Sequence, residues 1–175
     1  NTLIFKFWHL FLGFAIQNKV VLMCLTWGKR MRGFELIHSN PQKNQPIKHS
    51  AMFNLTNKTA IITGGGSGIG KAISLLFARQ GAQVHIIELN EEGAAETLAQ
   101  IQSEGGRGEI HICNIAQQKA VLETFQKIGA FDLLINNAGI AHIGNAENTQ
   151  ESDFDRVFQV NVKGVYNCIH AAIPI

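Results

Sequence analysis

From residue 58 onward, short apolar runs alternate with longer segments in which apolar residues recur at helical spacing. Residues 58–63 (KTAIIT) form a β-branched run that stops at a cluster of glycines, which is typical of a strand. Apolar side chains then recur at helical spacing over residues 69–80, until Gly81, a residue type that commonly ends helices. This part of the pattern predicts a strand, a glycine-rich turn and a helix.

The same alternation of strand and helix continues toward the end of the chain. The pattern predicts strands at residues 83–87, 109–113 and 131–136, and helices at residues 91–103, 116–127 and 152–172. Strands that alternate with helices in this way form a parallel sheet with helices on both faces. The predicted fold class is therefore α/β, a doubly wound parallel sheet of the Rossmann type.

The first 51 residues differ in composition from the rest of the chain. Seven Lys and Arg residues there face a single acid, a balance of +6, whereas the remainder carries eight against twelve, a balance of −4. Polar residues interrupt the apolar residues 3–25 before a run reaches the roughly 18 to 20 residues of a membrane-spanning helix. Residues 39–50 (SNPQKNQPIKHS) are typical of a linker, and Met52 follows. We expect residues 1–51 to be a poorly ordered leader, or sequence upstream of a natural start at Met52, and residues 52–175 to form the domain.

Cysteine spacing and charge exclude several classes of function. Cys24, Cys113 and Cys168 lie far apart and form no CxxC pair. This spacing indicates neither a disulfide framework nor a zinc site and favours a reducing, cytoplasmic location. We expect no membrane span and no bound metal. The acidic balance of residues 52–175 also lacks the basic patch of nucleic-acid-binding proteins, so no nucleic-acid partner is expected.

The stretch TGGGSGIGKA at residues 63–72 contains two overlapping phosphate-binding patterns. One is TGxxxGxG, a dinucleotide loop, and the other is GxxxxGK, the front of a nucleoside-triphosphate loop. The triphosphate loop needs a hydroxyl after the lysine to hold magnesium, and that position is Ala72. The dinucleotide loop needs an acid about 20 residues on, at the end of the second strand, and Glu88 meets that demand. A 2′-phosphate would be repelled by Glu88, and the segment ELNEEG offers no arginine, so NAD is favoured over NADP.

Three motifs resemble those of the short-chain dehydrogenase/reductase family. TGGGSGIG at residues 63–70 is similar to its cofactor loop, INNAG at residues 135–139 to its NNAG motif, and Asn161 in VNVKG to the asparagine of the helix that follows. The resemblance extends from about Asn54 to the end of the chain. It implies a Rossmann fold that is incomplete at the C-terminus, an NAD or NADP cofactor and a small-molecule alcohol or carbonyl substrate. It also implies a homo-oligomer, a dimer or tetramer, for the full-length protein.

The resemblance implies roles for individual residues as well. Asn161 would distort its helix and hold a water molecule that relays protons to the family's catalytic lysine. Asn114 lies where the family usually has an aspartate facing the adenine, and its carbonyl can accept the same hydrogen bond. The residues matched to cofactor binding are Gly64, Ser67, Gly68, Ile69, Gly70, Glu88, Leu89, Asn114, Ile115, Asn137, Ala138 and Gly139.

The catalytic serine of the family, and the tyrosine and lysine of its YxxxK motif, have no match in this chain. Its one tyrosine, Tyr166, is followed four positions later by His170 instead of lysine. His85, His111 and His142 offer no substitute, since none has a carboxylate at motif spacing. We therefore expect the 175-residue chain alone to be inactive and poorly soluble, with the catalytic residues beyond its end. A non-catalytic dinucleotide-binding sensor or scaffold is the alternative function, and a small NTPase is the less favoured one.

Overall fold

The computed structural model describes residues 13–16, 19–23 and 53–175, the first two ranges as backbone. The strands are β1 (Gly13–Ile16), β2 (Lys19–Met23), β3 (Thr59–Thr63), β4 (Gln83–Glu88), β5 (Arg107–Ile112) and β6 (Leu133–Asn136). The helices are α1 (Gly68–Arg79), α2 (Glu91–Ser103), α3 (Gln118–Ile128), α4 (Glu151–Phe158) and α5 (Val165–Ala172). A π-helical segment, Gln159–Gly164, joins α4 to α5. From β3 to β6, the predicted strands and helices are all present, and their ends differ from the prediction by no more than two residues.

The strands form one sheet with the order β1-β2-β6-β3-β4-β5. Neighbouring strands from β6 to β5 are parallel, and their order matches 3-2-1-4 of a doubly wound sheet when β3 is counted as the first strand. The predicted fold class is therefore confirmed. The hairpin of β1 and β2 joins the sheet beside β6, with β2 parallel to it. The remainder of the predicted leader lies outside the described residues, so its disorder and a start at Met52 stay predictions.

Both faces of the central strands are buried, and alternate residues serve opposite faces. Ile62 and Ile86 pack with residues of α1 and α2 on one face. Ile61, Ile87 and Leu134 pack with residues of α3 and α5 on the other. This double burial explains why the strands are continuous apolar runs in the sequence instead of alternating ones.

The last helix differs from the prediction. The apolar spacing predicts one continuous helix over residues 152–172, whereas the structure has α4, the π-helical segment and then α5. A π-helical turn replaces i→i+4 hydrogen bonds by i→i+5 ones and so contains one extra residue. Asn161 lies within this segment, and its side chain bonds to a loop outside the helix. Among the described residues, no helix is long and apolar enough to cross a membrane.

Phe125 offers a test of the core under α3. Its side chain is fully buried and meets Phe131 edge to face, with the ring centroids 5.8 Å apart. We expect Phe125→Ala to lower the free energy of unfolding by about 3 to 5 kcal/mol, because it leaves a cavity. Lys119→Ala on the exposed side of the same helix should change it by no more than about 0.5 kcal/mol. Chemical denaturation followed by circular dichroism measures both values, and equal losses would contradict the described packing.

Candidate dinucleotide-binding site

A cleft lies at the carboxyl ends of β3 and β6. These strands are neighbours in the sheet, and the chain leaves them toward opposite sides, which makes this edge a topological switch point where α/β proteins bind ligands. The cleft has a volume of about 330 Å³. It is lined by Gly64, Ser67, Gly68, Ile69, Ile87, Glu88, Leu89, Cys113, Asn114, Ile115, Asn137, Ala138, Gly139, Ile140 and Val160.

Thr63 and Asn137 connect the ends of the two strands. The Thr63 hydroxyl accepts hydrogen bonds from the backbone N–H groups of Asn137 and Ala138, at 3.0 and 3.1 Å. The Asn137 side-chain amide donates to the carbonyl oxygens of Thr63 and Gly64, both at 3.1 Å. Because these partners are 73 to 75 residues apart in sequence, the bonds fix the two loops against each other at the base of the cleft.

The loop between β3 and α1 needs glycine at defined positions. Gly64 and Gly68 adopt φ angles of +66° and +51°, the left-handed region that side chains disfavour. Gly70 has an ordinary helical conformation, but a Cβ on it would collide with the carbonyl oxygen of Gly64 and lie 2.5 Å from the Asn137 amide nitrogen. The start of α1 therefore packs directly on the loop backbone.

The N-terminus of α1 opens into this cleft. Ser67 occupies the N-cap position without a side-chain capping bond, and the first turn of α1 contains no acid. The first backbone N–H groups of a helix lack partners within it and attract anions. Lys71 of the triphosphate pattern points away, because its amine lies 3.4 Å from a carboxylate oxygen of Glu96 on α2. This geometry fits a dinucleotide loop better than a triphosphate loop.

Glu88 is held at the rim of the cleft by backbone amides. One carboxylate oxygen accepts hydrogen bonds from the N–H groups of Leu89 and Asn90, at 2.8 and 3.3 Å. The other accepts from the N–H group of Gly66, in the middle of the glycine loop, at 3.2 Å. The side chain predicted to bind a ribose therefore also ties the glycine loop to the end of β4, a role that sequence spacing did not indicate.

Asn114 and Ile115 shape the third side of the cleft. The Asn114 side-chain oxygen accepts a hydrogen bond from the Ala116 N–H group at 3.0 Å and so closes a turn after β5. The Ile115 carbonyl accepts from the buried side-chain amide of Asn167 on α5, at 2.8 Å. These bonds position both residues and attach α5 to the end of β5.

Asn161 lies behind the cleft and does not line it. Its side-chain amide donates to the carbonyl oxygen of Ile140 at 2.8 Å, and its side-chain oxygen accepts from the Ile140 N–H group at 2.9 Å. The pair holds the loop after NNAG against the π-helical segment. The helix distortion expected at Asn161 is thus present, while its part in proton transfer stays a prediction.

Tyr166 and the histidines of this region lie outside the cleft. Tyr166 is half exposed and stacks on His170, with the ring centroids 5.7 Å apart. His142 Nδ1 lies 3.6 Å from a carboxylate oxygen of Asp153, and His111 Nε2 lies 3.8 Å from one of Glu109. Carboxylates therefore lie near two histidines, which their spacing in the sequence did not indicate.

Most residues predicted to bind the cofactor come together at the cleft. Gly70, which supports the loop from beneath, does not itself line it. Sequence reasoning missed Ile87, Cys113, Ile140 and Val160. The first three directly flank residues predicted to bind the cofactor, and Val160 directly precedes Asn161, so adjacency in the chain was the available signal. Burial raises the pKa of the Cys113 thiol, and a hydrogen bond with the Thr124 hydroxyl partly opposes this increase. Cys113 therefore lines the cleft as a neutral thiol.

Comparisons with known proteins match the region that contains this cleft. The family model described as short chain dehydrogenase matches residues 58–175. An uncharacterized oxidoreductase of Thermotoga maritima is 43% identical over 115 residues, which cover 65% of this chain and 46% of that protein. The chain thus spans about half the length of the curated relatives it matches.

Solved structures resemble about two thirds of the chain. An NAD+-bound xylitol dehydrogenase has a TM-score of 0.65 and 27% identity, covering 67% of this chain and 47% of that one. A metagenomic short-chain oxidoreductase in complex with NADP has a TM-score of 0.66 and 28% identity, covering 69% and 57%. These likenesses agree with the fold described above.

Asn137 provides a test of the connection between the strand ends. We expect Asn137→Ala to lower the free energy of unfolding by about 1 to 3 kcal/mol, because it leaves two partly buried carbonyl groups without their donor. Gln102→Ala on the exposed face of α2 is the control and should stay within about 0.5 kcal/mol of the unmodified chain. Denaturant titration measures both. A loss for Asn137→Ala no larger than that of the control would show that these bonds do not hold the loops.

Proposed function

The chain belongs to the short-chain dehydrogenase/reductase family, and on that premise we propose that it forms the cofactor-binding part of an NAD-dependent oxidoreductase that interconverts an alcohol and a carbonyl. The observation that carries the proposal is the glycine loop at the start of α1, fixed to the NNAG loop by Asn137 at the switch point of the sheet. The proposal covers the whole protein of which this chain spans a part.

The geometry of the loop fits a dinucleotide. Gly70 and Gly64 leave no room for side chains where the backbone must approach a pyrophosphate, and Ser67 leaves the helix N-terminus uncapped. We assign pyrophosphate binding to Gly64, Ser67, Gly68, Ile69 and Gly70, the adenosine side to Glu88, Leu89, Asn114 and Ile115, and the nicotinamide side to Asn137, Ala138 and Gly139.

The chemistry divides between the cofactor and the chain. A nicotinamide dinucleotide supplies hydride transfer when bound. The residues of this chain would bind and orient it: Ala138 and Val160 line the cleft with apolar side chains, and Asn161 holds the backbone of Ile140, which also lines it. We assign Asn161 a part in the proton relay of the whole protein, and the π-helical distortion around it supports that assignment.

NAD is the proposed cofactor because of Glu88. Its carboxylate is held at the cleft rim by backbone amides, where it can accept hydrogen bonds from both ribose hydroxyls. A 2′-phosphate at the same place would meet a like charge, and the described residues that line the cleft include no Lys or Arg. The two similar structures bind NAD+ and NADP respectively, so the family accommodates both cofactors and the choice rests on Glu88.

We also propose a small-molecule alcohol or carbonyl substrate, a cytoplasmic location and a homo-oligomer, a dimer or tetramer, for the whole protein. Exposed apolar side chains of α4, the π-helical segment and α5 recur at helical spacing, namely Phe154, Phe158, Val162 and Tyr166. Such a stripe favours association with a second copy. Cys113 and Cys168 are free and buried, which suits a reducing compartment.

A non-catalytic dinucleotide sensor is the second candidate. The observation that keeps it open is that the 175 residues contain a dinucleotide-type cleft and no YxxxK motif. Extension of the reading frame separates the two functions, since a YxxxK motif with an upstream serine supports the enzyme and its absence supports the sensor.

Binding of NADH tests the proposed site directly. We expect the chain to bind NADH without oxidising it in the presence of aldehydes or ketones, because it contains a cofactor site and no YxxxK motif. Gly70→Ala should weaken NADH binding by about 10-fold or more, equivalent to at least about 1.4 kcal/mol. Gly105→Ala, in a turn at a φ of +77° where a Cβ meets no atom within 4 Å, strains the backbone away from the cleft and is the control for a general effect of glycine replacement. Calorimetry measures both affinities, and the proposal fails if NADH does not bind or if both variants bind it equally well.

Replacement of Glu88 tests the choice between NAD and NADP. We expect the chain to bind NAD+ at least about 10-fold more tightly than NADP+, because hydrogen bonds to the carboxylate and its charge act in the same direction. Glu88→Gln should reduce this ratio by about 10-fold, since it removes the charge and keeps the size. Glu92→Gln, an exposed acid in the first turn of α2, should leave the ratio unchanged. A preference for NADP+ in the unmodified chain would overturn the assignment.

A further inference from the structure

A cluster of possible metal ligands lies on β4 and β5, away from the glycine loop. Sequence spacing alone predicts no metal site, but the register of the two strands places His85 opposite Glu109. His111 follows Glu109 by two residues, so both project from the same face of β5, and the cluster of all three side chains confirms that His85 shares this face. Strand pairing thus unites residues that are 26 positions apart in the chain.

The ligand atoms are close together. His85 Nδ1 lies 2.9 Å from His111 Nε2, and His111 Nε2 lies 3.8 Å from a carboxylate oxygen of Glu109. All three ligand atoms are within 4.8 Å of one another. Two nitrogen or oxygen ligands at about 2.1 Å from a tetrahedral zinc ion are roughly 3.4 Å apart. The observed separations lie on either side of that value, so small side-chain rotations would complete the geometry.

The surroundings leave one side of the cluster accessible. His85 and His111 are 8% and 6% exposed, whereas the Glu109 side chain is 48% exposed. The two buried rings stack with their centroids 5.2 Å apart, which restricts their rotation before any ion arrives. An ion would therefore contact two buried imidazoles on one side and a carboxylate and solvent on the other.

The ion pair between Lys127 and Glu109 does not explain why two histidines and a glutamate lie together here. The Lys127 amine lies 3.7 Å from the Glu109 carboxylate, and an exposed ion pair of this kind contributes little to stability. Burial lowers the pKa of both imidazoles, against an opposing effect of Glu109, and Lys127 lowers that of His111 further. Neutral imidazoles are the form that binds metal. Binding of an ion replaces the hydrogen bond between the two rings: the donor ring carries its proton on its other nitrogen instead, and both facing nitrogens then offer lone pairs.

We propose that His85, Glu109 and His111 bind a divalent transition-metal ion of the zinc class, with solvent at the remaining position. Two imidazoles and one carboxylate suit Zn²⁺ or Co²⁺, whereas Mg²⁺ and Ca²⁺ prefer oxygen ligands. The ion joins β5, which is last in the strand order, to β4. His85 and His111 each lie two residues before a lining residue of the cleft, Ile87 and Cys113, so the ion also stabilises the adenosine side of the cleft. The proposal does not depend on dehydrogenase activity.

Metal titration of the 175-residue chain, after removal of adventitious metal with a chelator, tests the proposal. We expect Zn²⁺ to bind with one-to-one stoichiometry and to raise the melting temperature, and Co²⁺ to give the visible absorption of a tetrahedral site. Mg²⁺ and Ca²⁺ should produce neither effect. Calorimetry and thermal unfolding give the affinity and the stabilisation.

Two cluster variants and two matched controls assign the ligands. Glu109→Gln and His111→Asn should each weaken Zn²⁺ binding by at least about 10-fold. Loss of a residue that only orients a metal ligand already lowers metal affinity by about 10- to 100-fold. Glu123→Gln on the exposed face of α3 and His170→Asn on α5 should leave the affinity unchanged. The controls matter because the chain contains seven histidines.

The outcomes are decisive in both directions. The proposal is overturned if Zn²⁺ affinity is the same in the cluster variants and the controls, or if Zn²⁺ fails to raise the melting temperature of the unmodified chain. If His111→Asn does not fold, Glu109→Gln decides, since its side chain is half exposed and its removal does not open the core. NADH affinity of the metal-free chain is measured in parallel, so that failure of the metal site and failure of the dinucleotide site are seen separately.

Discussion

The hydrogen bonds between Thr63 and Asn137 are the constraint on which the site depends. β3 and β6 are neighbours in the sheet, but parallel pairing alone does not fix the loops that leave them. The Thr63 hydroxyl and the Asn137 amide join these loops, and the Gly64 carbonyl that accepts from Asn137 also lies against Gly70. One network therefore sets the base of the cleft, the path of the glycine loop and the start of α1. This explains why the loop has room for backbone and none for side chains.

Glu88 has two roles, whereas the dinucleotide-binding motif assigns it only one. Its carboxylate is bound by three backbone amides, one of them from the glycine loop, and it also faces the cleft. A residue that selects the cofactor is thus part of the structure that holds the phosphate loop in place. Changes at this position alter loop order together with ligand preference, because the same oxygen atoms serve both.

The sequence predicted the elements well because apolar periodicity records which face each residue buries. Strands β3 to β6, helices α1 to α3 and most of the cleft were found from it and from the motifs. Two features were not, since each depends on contacts between distant residues. The Glu88 bond to Gly66 spans 22 residues, and the cluster of His85, Glu109 and His111 exists only through the register of β4 and β5. The interruption of the last helix was anticipated only by resemblance, since the apolar spacing predicts a continuous helix and the partner of Asn161, Ile140, lies 21 residues away in the chain.

The π-helical segment makes the number of residues at this point important. One additional residue is accommodated in the wide turn, so α4 and α5 keep nearly the relative phase of a regular helix that is one residue shorter. Removal of a single residue from Gln159–Gly164 would therefore restore regular helical turns and leave the faces of α4 and α5 almost unchanged. Removal of one residue from within α4 or α5 would instead rotate the side chains on either side of the deletion by about 100° relative to each other. What a deletion in the π-helical segment would change is the wide turn that presents Asn161 to Ile140.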